Sequence, residues 1–245
     1  MNTTVEVLGF AREPGWLPWA VQYFFLIGIS AMAFFLSLPG LVWQRAAWRG
    51  VSRRALLVAL VCGLAAPVAL LADLHQPGRF MNFYLHANFG SWMAWGSFFI
   101  PLYLVGLLAY AWLALRTQAR GAIALAALVA AAGAALVLVY TGMETMVVAA
   151  RPLWHSPLIP VVFAITALAG ALGMTGLFLV IAGQTAVTPL LNRWLIIIQW
   201  LLLALLGVWL GLALTGPAGY RDALATIHGG WVAAWIWFVL SVALT

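Results

Sequence analysis

Lysine is absent from this 245-residue chain, and cysteine occurs once. There are only five carboxylates, and charged residues of both signs make up 7% of the total. Each scarcity excludes something. Without lysine no retinal-type Schiff base can form, which removes that seven-helix class outright. The single thiol, Cys62, rules out an intrachain disulfide and any iron–sulfur cluster ligated by cysteines of this chain alone. So little charge, alongside 66% hydrophobic residues and a mean hydropathy of +1.09, is incompatible with a soluble domain.

What the chain has instead is long apolar runs. In lipid these are helical, because backbone polar groups must be satisfied within the segment. Seven spans are expected: about Leu17–Trp43, Ala55–Ala72, Ser91–Leu115, Gly121–Thr141, Leu158–Gly183, Trp194–Thr215 and Ile227–Thr245. Each meets or approaches the roughly 20 residues that cross a bilayer core. The expected fold is an all-α integral membrane domain over residues 1–245, with spans 1–4 in about 17–141 and spans 5–7 in about 158–245.

The basic balance, a formal +6, is carried entirely by arginine. These arginines are too dispersed for a nucleic-acid stripe and fit the positive-inside rule better. Arg45, Arg49, Arg53 and Arg54 lie between spans 1 and 2, Arg116 and Arg120 between 3 and 4, and Arg193 between 5 and 6, with no acid among them. Those connections are expected to be cytoplasmic. Glu6, Glu13, Asp73, Glu144 and Asp222 precede span 1 or fall in the alternate connections, as do His75, His86, His155 and His228. The N-terminus is therefore expected to be extracytoplasmic, and proton chemistry to be confined to that face. Met1–Gly15 has no basic segment followed by an apolar one, so span 1 is expected to act as an uncleaved insertion signal.

Four strings carry chemistry. Asp73-Leu-His-Gln-Pro-Gly-Arg79-Phe80 leaves span 2 with an acid and a guanidinium close enough to neutralise each other. Ser91-Trp-Met-Ala-Trp-Gly96-Ser97 opens span 3, with Ser91 as a helix cap and Gly96 permitting close helix contact. Tyr140-Thr-Gly142 ends span 4. Glu144 follows Tyr140 by four residues, so a phenol and a carboxyl can share one face if the helix continues. Those are the parts a quinone site needs, since a quinone oxygen accepts a hydrogen bond and, once reduced, a proton. Arg151-Pro-Leu-Trp154-His155-Ser-Pro-Leu-Ile-Pro160 is held out of regular helix by its prolines and presents Trp154 and His155 at the membrane surface. Each string also has a plain structural reading, as a salt bridge, helix start, interfacial tyrosine or docking loop.

Taken in order, the four strings resemble the NrfD/polysulfide reductase membrane-subunit family, whose pattern runs D-L-x-x-P-x-R-F, S-x-M-x-W-G, Y-x-G and P-x-W-x-x-P-x-x-P. The resemblance covers essentially the whole chain. It implies a haem-free, multi-pass subunit of the bacterial cytoplasmic (inner) membrane, binding no metal. The family pattern has eight helices, one more than the spans counted here, with a quinone (menaquinone or ubiquinone) held in the first four-helix bundle near the outer face. It further implies a ferredoxin-like four-cluster iron–sulfur partner and a molybdenum bis-pterin catalytic subunit. By position it makes Tyr140, with Tyr23 or Gln22 on span 1, the quinone ligands. Glu144, Asp73 and His155 are the candidates for proton exchange, and Arg79, Arg151 and Trp154 support the site. Family members place a histidine on span 1, and this chain has none there.

Rival classes fit less well. A transporter or ion channel keeps ionisable groups near the bilayer midplane, and these spans have none there. A di-haem anchor needs histidines paired within helices, whereas all four lie at one edge. A purely structural anchor remains the alternative.

Overall fold

The computed structural model describes residues 18–224 apart from His75, Ala150 and Ala218. The expected seventh span, Ile227–Thr245, lies outside the described residues, as do Glu6, Glu13 and His228. Among the described residues there is no strand. Within the described residues six helices are long and apolar enough to cross a membrane: α1 (Pro18–Leu41), α2 (Arg49–Asp73), α4 (Trp92–Arg116), α5 (Arg120–Met146), α6 (Leu158–Ile181) and α7 (Thr188–Thr215). A four-residue helix, α3 (Asn82–Leu85), sits in the connection from α2 to α4.

Three helix ends differ from expectation. Helix α2 begins at Arg49 rather than near Ala55, and α7 at Thr188 rather than near Trp194. Arginine side chains extend past the apolar core with their heads in the polar zone, so hydropathy alone truncates such helices. More consequentially, α5 runs through Thr141 and Gly142 to Met146. Thr141 donates to the Leu138 carbonyl and Thr145 to that of Gly142, so both hydroxyls are satisfied within the helix. At the start of α4, Ser91 takes the N-cap position but its side chain makes no capping bond.

Helices α1, α2, α4 and α5 form a bundle whose core is drawn almost wholly from those four elements. The α1–α2 and α4–α5 pairs pack most extensively, whereas α2 and α4 barely meet. Small residues explain the α4–α5 contact: Gly106 lies against Ala130, and Gly133 against the Tyr103 backbone. Helix α6 packs across α1, α5 and α2, and α7 packs on α6. Alternating helix directions gather the α2–α4 and α5–α6 connections at one end, with Asp73 and Glu144. The short connections near Arg45, Arg116 and Gln184 lie at the other.

Candidate functional site

At the acid-bearing end the bundle encloses a cavity of about 460 Å³, within the range of small-molecule sites. Its walls are mostly apolar, from Phe24, Leu70, Ile100 and Leu104 among others. Three polar side chains meet on it: Tyr23 from α1, and Tyr140 and Glu144 from α5. All three are buried, at 1%, 3% and 8% exposure. The continuation of α5 past Gly142 puts Tyr140 and Glu144 on one face, one turn apart. The Tyr140 hydroxyl is near enough to interact with both Tyr23 and Glu144.

Two glycines hold Tyr140 and its turn in place. Tyr140 lies flat against Gly96 of α4, and a Cβ there would come within 2.6 Å of the phenol oxygen and closer still to the ring. A Cβ on Gly142 would collide with the backbone of Pro160 at the start of α6. The first of these contacts joins the second string to the third, and the other joins the third to the fourth. Spacing in the sequence thus becomes packing around one phenol.

The polar atoms here are not all paired. Tyr23 Oη and Glu144 Oε2 are buried with no hydrogen-bond partner. Leaving such a group unsatisfied in an apolar setting typically costs about 1–3 kcal/mol.

Asp73, the last residue of α2, also lines the cavity and is half-buried. The end beyond it is roofed by Leu74, Phe80, Phe83 and Tyr84. Pro101, inside α4, has no N–H to offer the Ser97 carbonyl one turn back. The Tyr84 hydroxyl donates to that carbonyl at 2.8 Å, fastening α3 to α4.

Other expected site residues stand elsewhere. Gln22 is exposed and does not line the cavity, since consecutive helical residues point about 100° apart and Tyr23 takes the inward direction. Arg79 lines a separate recess of about 280 Å³ with Gln76, Phe80 and Phe83. Arg151, Trp154 and His155 also miss the cavity. The Arg151 guanidinium lies 5.8 Å from the Trp154 ring centre. His155 Nδ1 donates to the Met146 carbonyl at 2.9 Å, satisfying the end of α5. The same loop is fastened to α7 by Trp209, whose indole donates to the Leu153 carbonyl at 3.1 Å. Sequence reasoning missed Tyr84, Pro67 and Pro101; prolines inside apolar spans were the available signal.

The chain matches the family described as polysulphide reductase, NrfD, over residues 10–245. It is 37% identical over 253 residues to the C subunit of tetrathionate reductase from Salmonella typhimurium, covering 98% of this chain and 72% of that protein. A more distant likeness, 25% over 118 residues, covers 48% of this chain and 28% of the C subunit of selenate reductase from Mesobacillus selenatarsenatis.

Proposed function

The chain belongs to the polysulphide reductase NrfD family, and we propose that it is the quinone-reactive membrane subunit of an oxidoreductase complex. It exchanges electrons between a quinone or quinol and an iron–sulfur subunit on the extracytoplasmic side, with the acid-bearing end facing outward. Both relatives are named as subunits of reductases. That supports a catalytic partner, which we assign to the molybdenum bis-pterin class, and an electron-transfer partner of the four-cluster ferredoxin-like class. The stronger likeness favours a sulfur compound such as tetrathionate as the terminal substrate.

One observation carries the reading: two buried polar atoms that complete no hydrogen bond within the chain, Tyr23 Oη and Glu144 Oε2, lie beside Tyr140 on a mostly apolar cavity. A bound quinone supplies two-electron chemistry coupled to protons at its ring oxygens. Tyr23 and Tyr140 would hold the ring by donating hydrogen bonds to it. Glu144 holds or accepts a proton at Oε2, and half-buried Asp73 stands between the cavity and the outer connection. The apolar walls exclude water from the ring.

Replacing Glu144 by glutamine keeps size and hydrogen bonding but removes the exchangeable carboxyl proton. Quinol turnover by the purified complex is expected to fall roughly a hundredfold, the scale of general acid–base catalysis, with quinone affinity nearly kept. Wild-type turnover in Glu144→Gln would take the proton role away from this residue.

A further inference from the structure

We propose that the cavity is loaded sideways from the bilayer, through a slot between α2 and α4, and that this slot holds the isoprenoid chain of the quinone. The proposal rests on the quinone reading above and adds the route and the chain's seat.

Helix packing is the first ground. The bundle is tight at α1–α2 and α4–α5, whereas α2 and α4 meet sparsely, chiefly where Gly63 lies against Leu104 and Leu107. On that side Leu71, Val105 and Leu108 line the cavity, yet they are 43%, 66% and 45% exposed. A side chain that both lines a cavity and faces outward marks an opening. These residues lie within helices that cross the membrane, so what lies outside the opening is lipid.

The shape of the opening fits a chain. From Gly96, against which Tyr140 rests, to Leu108 is twelve residues of α4, about 18 Å at the helical rise. The polar trio occupies one end of this length. Along the rest, Pro101, Leu104, Val105 and Leu108 offer only carbon. That is a polar head position followed by an apolar trough, which matches a ring bearing several isoprene units.

The sequence also supplies a cause for the gap. Pro67 in α2 and Pro101 in α4 both lie inside their helices, and both line the cavity. An interior proline removes a helical hydrogen bond and kinks the helix. A proline on each side of the slot, each removing a helical hydrogen bond, opposes close packing there. Meanwhile the end facing the connections is roofed by Phe80, Phe83 and Tyr84, with Tyr84 tied to α4. The roof residues are themselves partly exposed, but they close over the polar end, whereas the flank opens along the apolar length.

The test uses the purified complex in liposomes and two quinols sharing one ring: a long-chain isoprenoid naphthoquinol in the bilayer, and menadiol, which has no chain, added from water. Val105→Trp and Leu71→Trp fill the slot from its lipid side. Val139→Trp adds the same bulk to an exposed site on α5 away from the cavity. In both slot variants kcat/KM for the long-chain quinol is expected to fall about tenfold or more, since many apolar carbons lose their seat. Menadiol, which needs only the head position, should lose clearly less than the long-chain quinol in the same variants, and Val139→Trp should affect neither. Unchanged long-chain kinetics in both slot variants, or equal losses for the two quinols, would overturn the sideways route and leave quinone binding standing. If wild type oxidised neither quinol, the quinone reading itself would fall and the proposal with it.

Discussion

The two ends of the same bundle use tyrosine in opposite ways. On α1, Tyr23, Ser30 and Ser37 recur every seven residues, and on α4 Gly96, Tyr103 and Tyr110 keep the same interval. A seven-residue repeat holds each set near one helix face, so α1 and α4 face each other in three tiers. Toward the arginine-bearing end, two tiers are closed. Ser30 donates to the Ala59 carbonyl at 2.7 Å and accepts from Tyr103 at 2.7 Å. Ser37 donates to the Phe34 carbonyl at 2.6 Å and accepts from Tyr110 at 3.0 Å. Phe34 packs edge-on against both tyrosine rings. In the third tier α4 has glycine instead, Tyr140 moves in from α5, and Tyr23 is left with a hydrogen bond still to make. The paired hydroxyls lock helices together, and the unpaired one on the cavity is open to a ligand.

The largest effect should come from rebuilding the third tier to resemble the other two. Gly96→Leu drives a side chain into the space of Tyr140. It is expected to abolish quinol turnover and to cost about 1–3 kcal/mol of stability through overpacking, read by activity and by unfolding in mild detergent. Retained activity would show that Tyr140 need not lie where it does.

Next in size is Tyr140→Phe, which removes a donor but keeps the ring. A hydrogen bond to a bound ligand is typically worth about 0.5–1.5 kcal/mol, so quinone affinity should weaken severalfold while stability holds. Tyr103→Phe is its mirror image. Interhelical hydrogen bonds in membranes average about 0.6 kcal/mol, so a loss of that order in stability is expected, with quinone affinity untouched. If the two variants behaved alike in both measurements, the distinction between the tiers would collapse.

The smallest expected signal is electrical. All described carboxylates lie at the end that holds the cavity; of the hydroxyls able to order water, those of Ser30 and Ser37 are committed to tyrosines, while that of Thr175 on α6 is buried with no hydrogen-bond partner. A proton path through a membrane generally uses acids or histidines along its length. Quinone chemistry in sealed proteoliposomes is therefore expected to generate almost no membrane potential. A strong uncoupler-sensitive potential would reveal a route through the closed tiers.

Much of this was legible in the sequence, for reasons that can be named. Apolar runs marked all six long helices among the described residues because lipid tolerates little else. The four-residue spacing of Tyr140 and Glu144 gave their common face, and Gly96 in a span start signalled close contact. The rest depended on direction and partners, which a one-dimensional reading does not contain. Tyr23 and Gln22 are neighbours in sequence, yet only one can face inward. His155 sits in a string rich in aromatics and charge, but its ring is occupied by the end of α5. The sparse contact between α2 and α4 is a matter of how whole helices are placed, and no local pattern links Pro67 to Pro101 across it.

The bond from Tyr84 to the Ser97 carbonyl has a consequence for how this chain can vary. That carbonyl is open to a side chain because position 101 is proline. With any other residue there, the helix can take the carbonyl back and Tyr84 loses its reason to be tyrosine. With proline kept and Tyr84 replaced, a main-chain acceptor is stranded at the cavity roof. Positions 84 and 101 are thus one inherited unit, expected to change together among descendants of this fold even though a whole connection separates them.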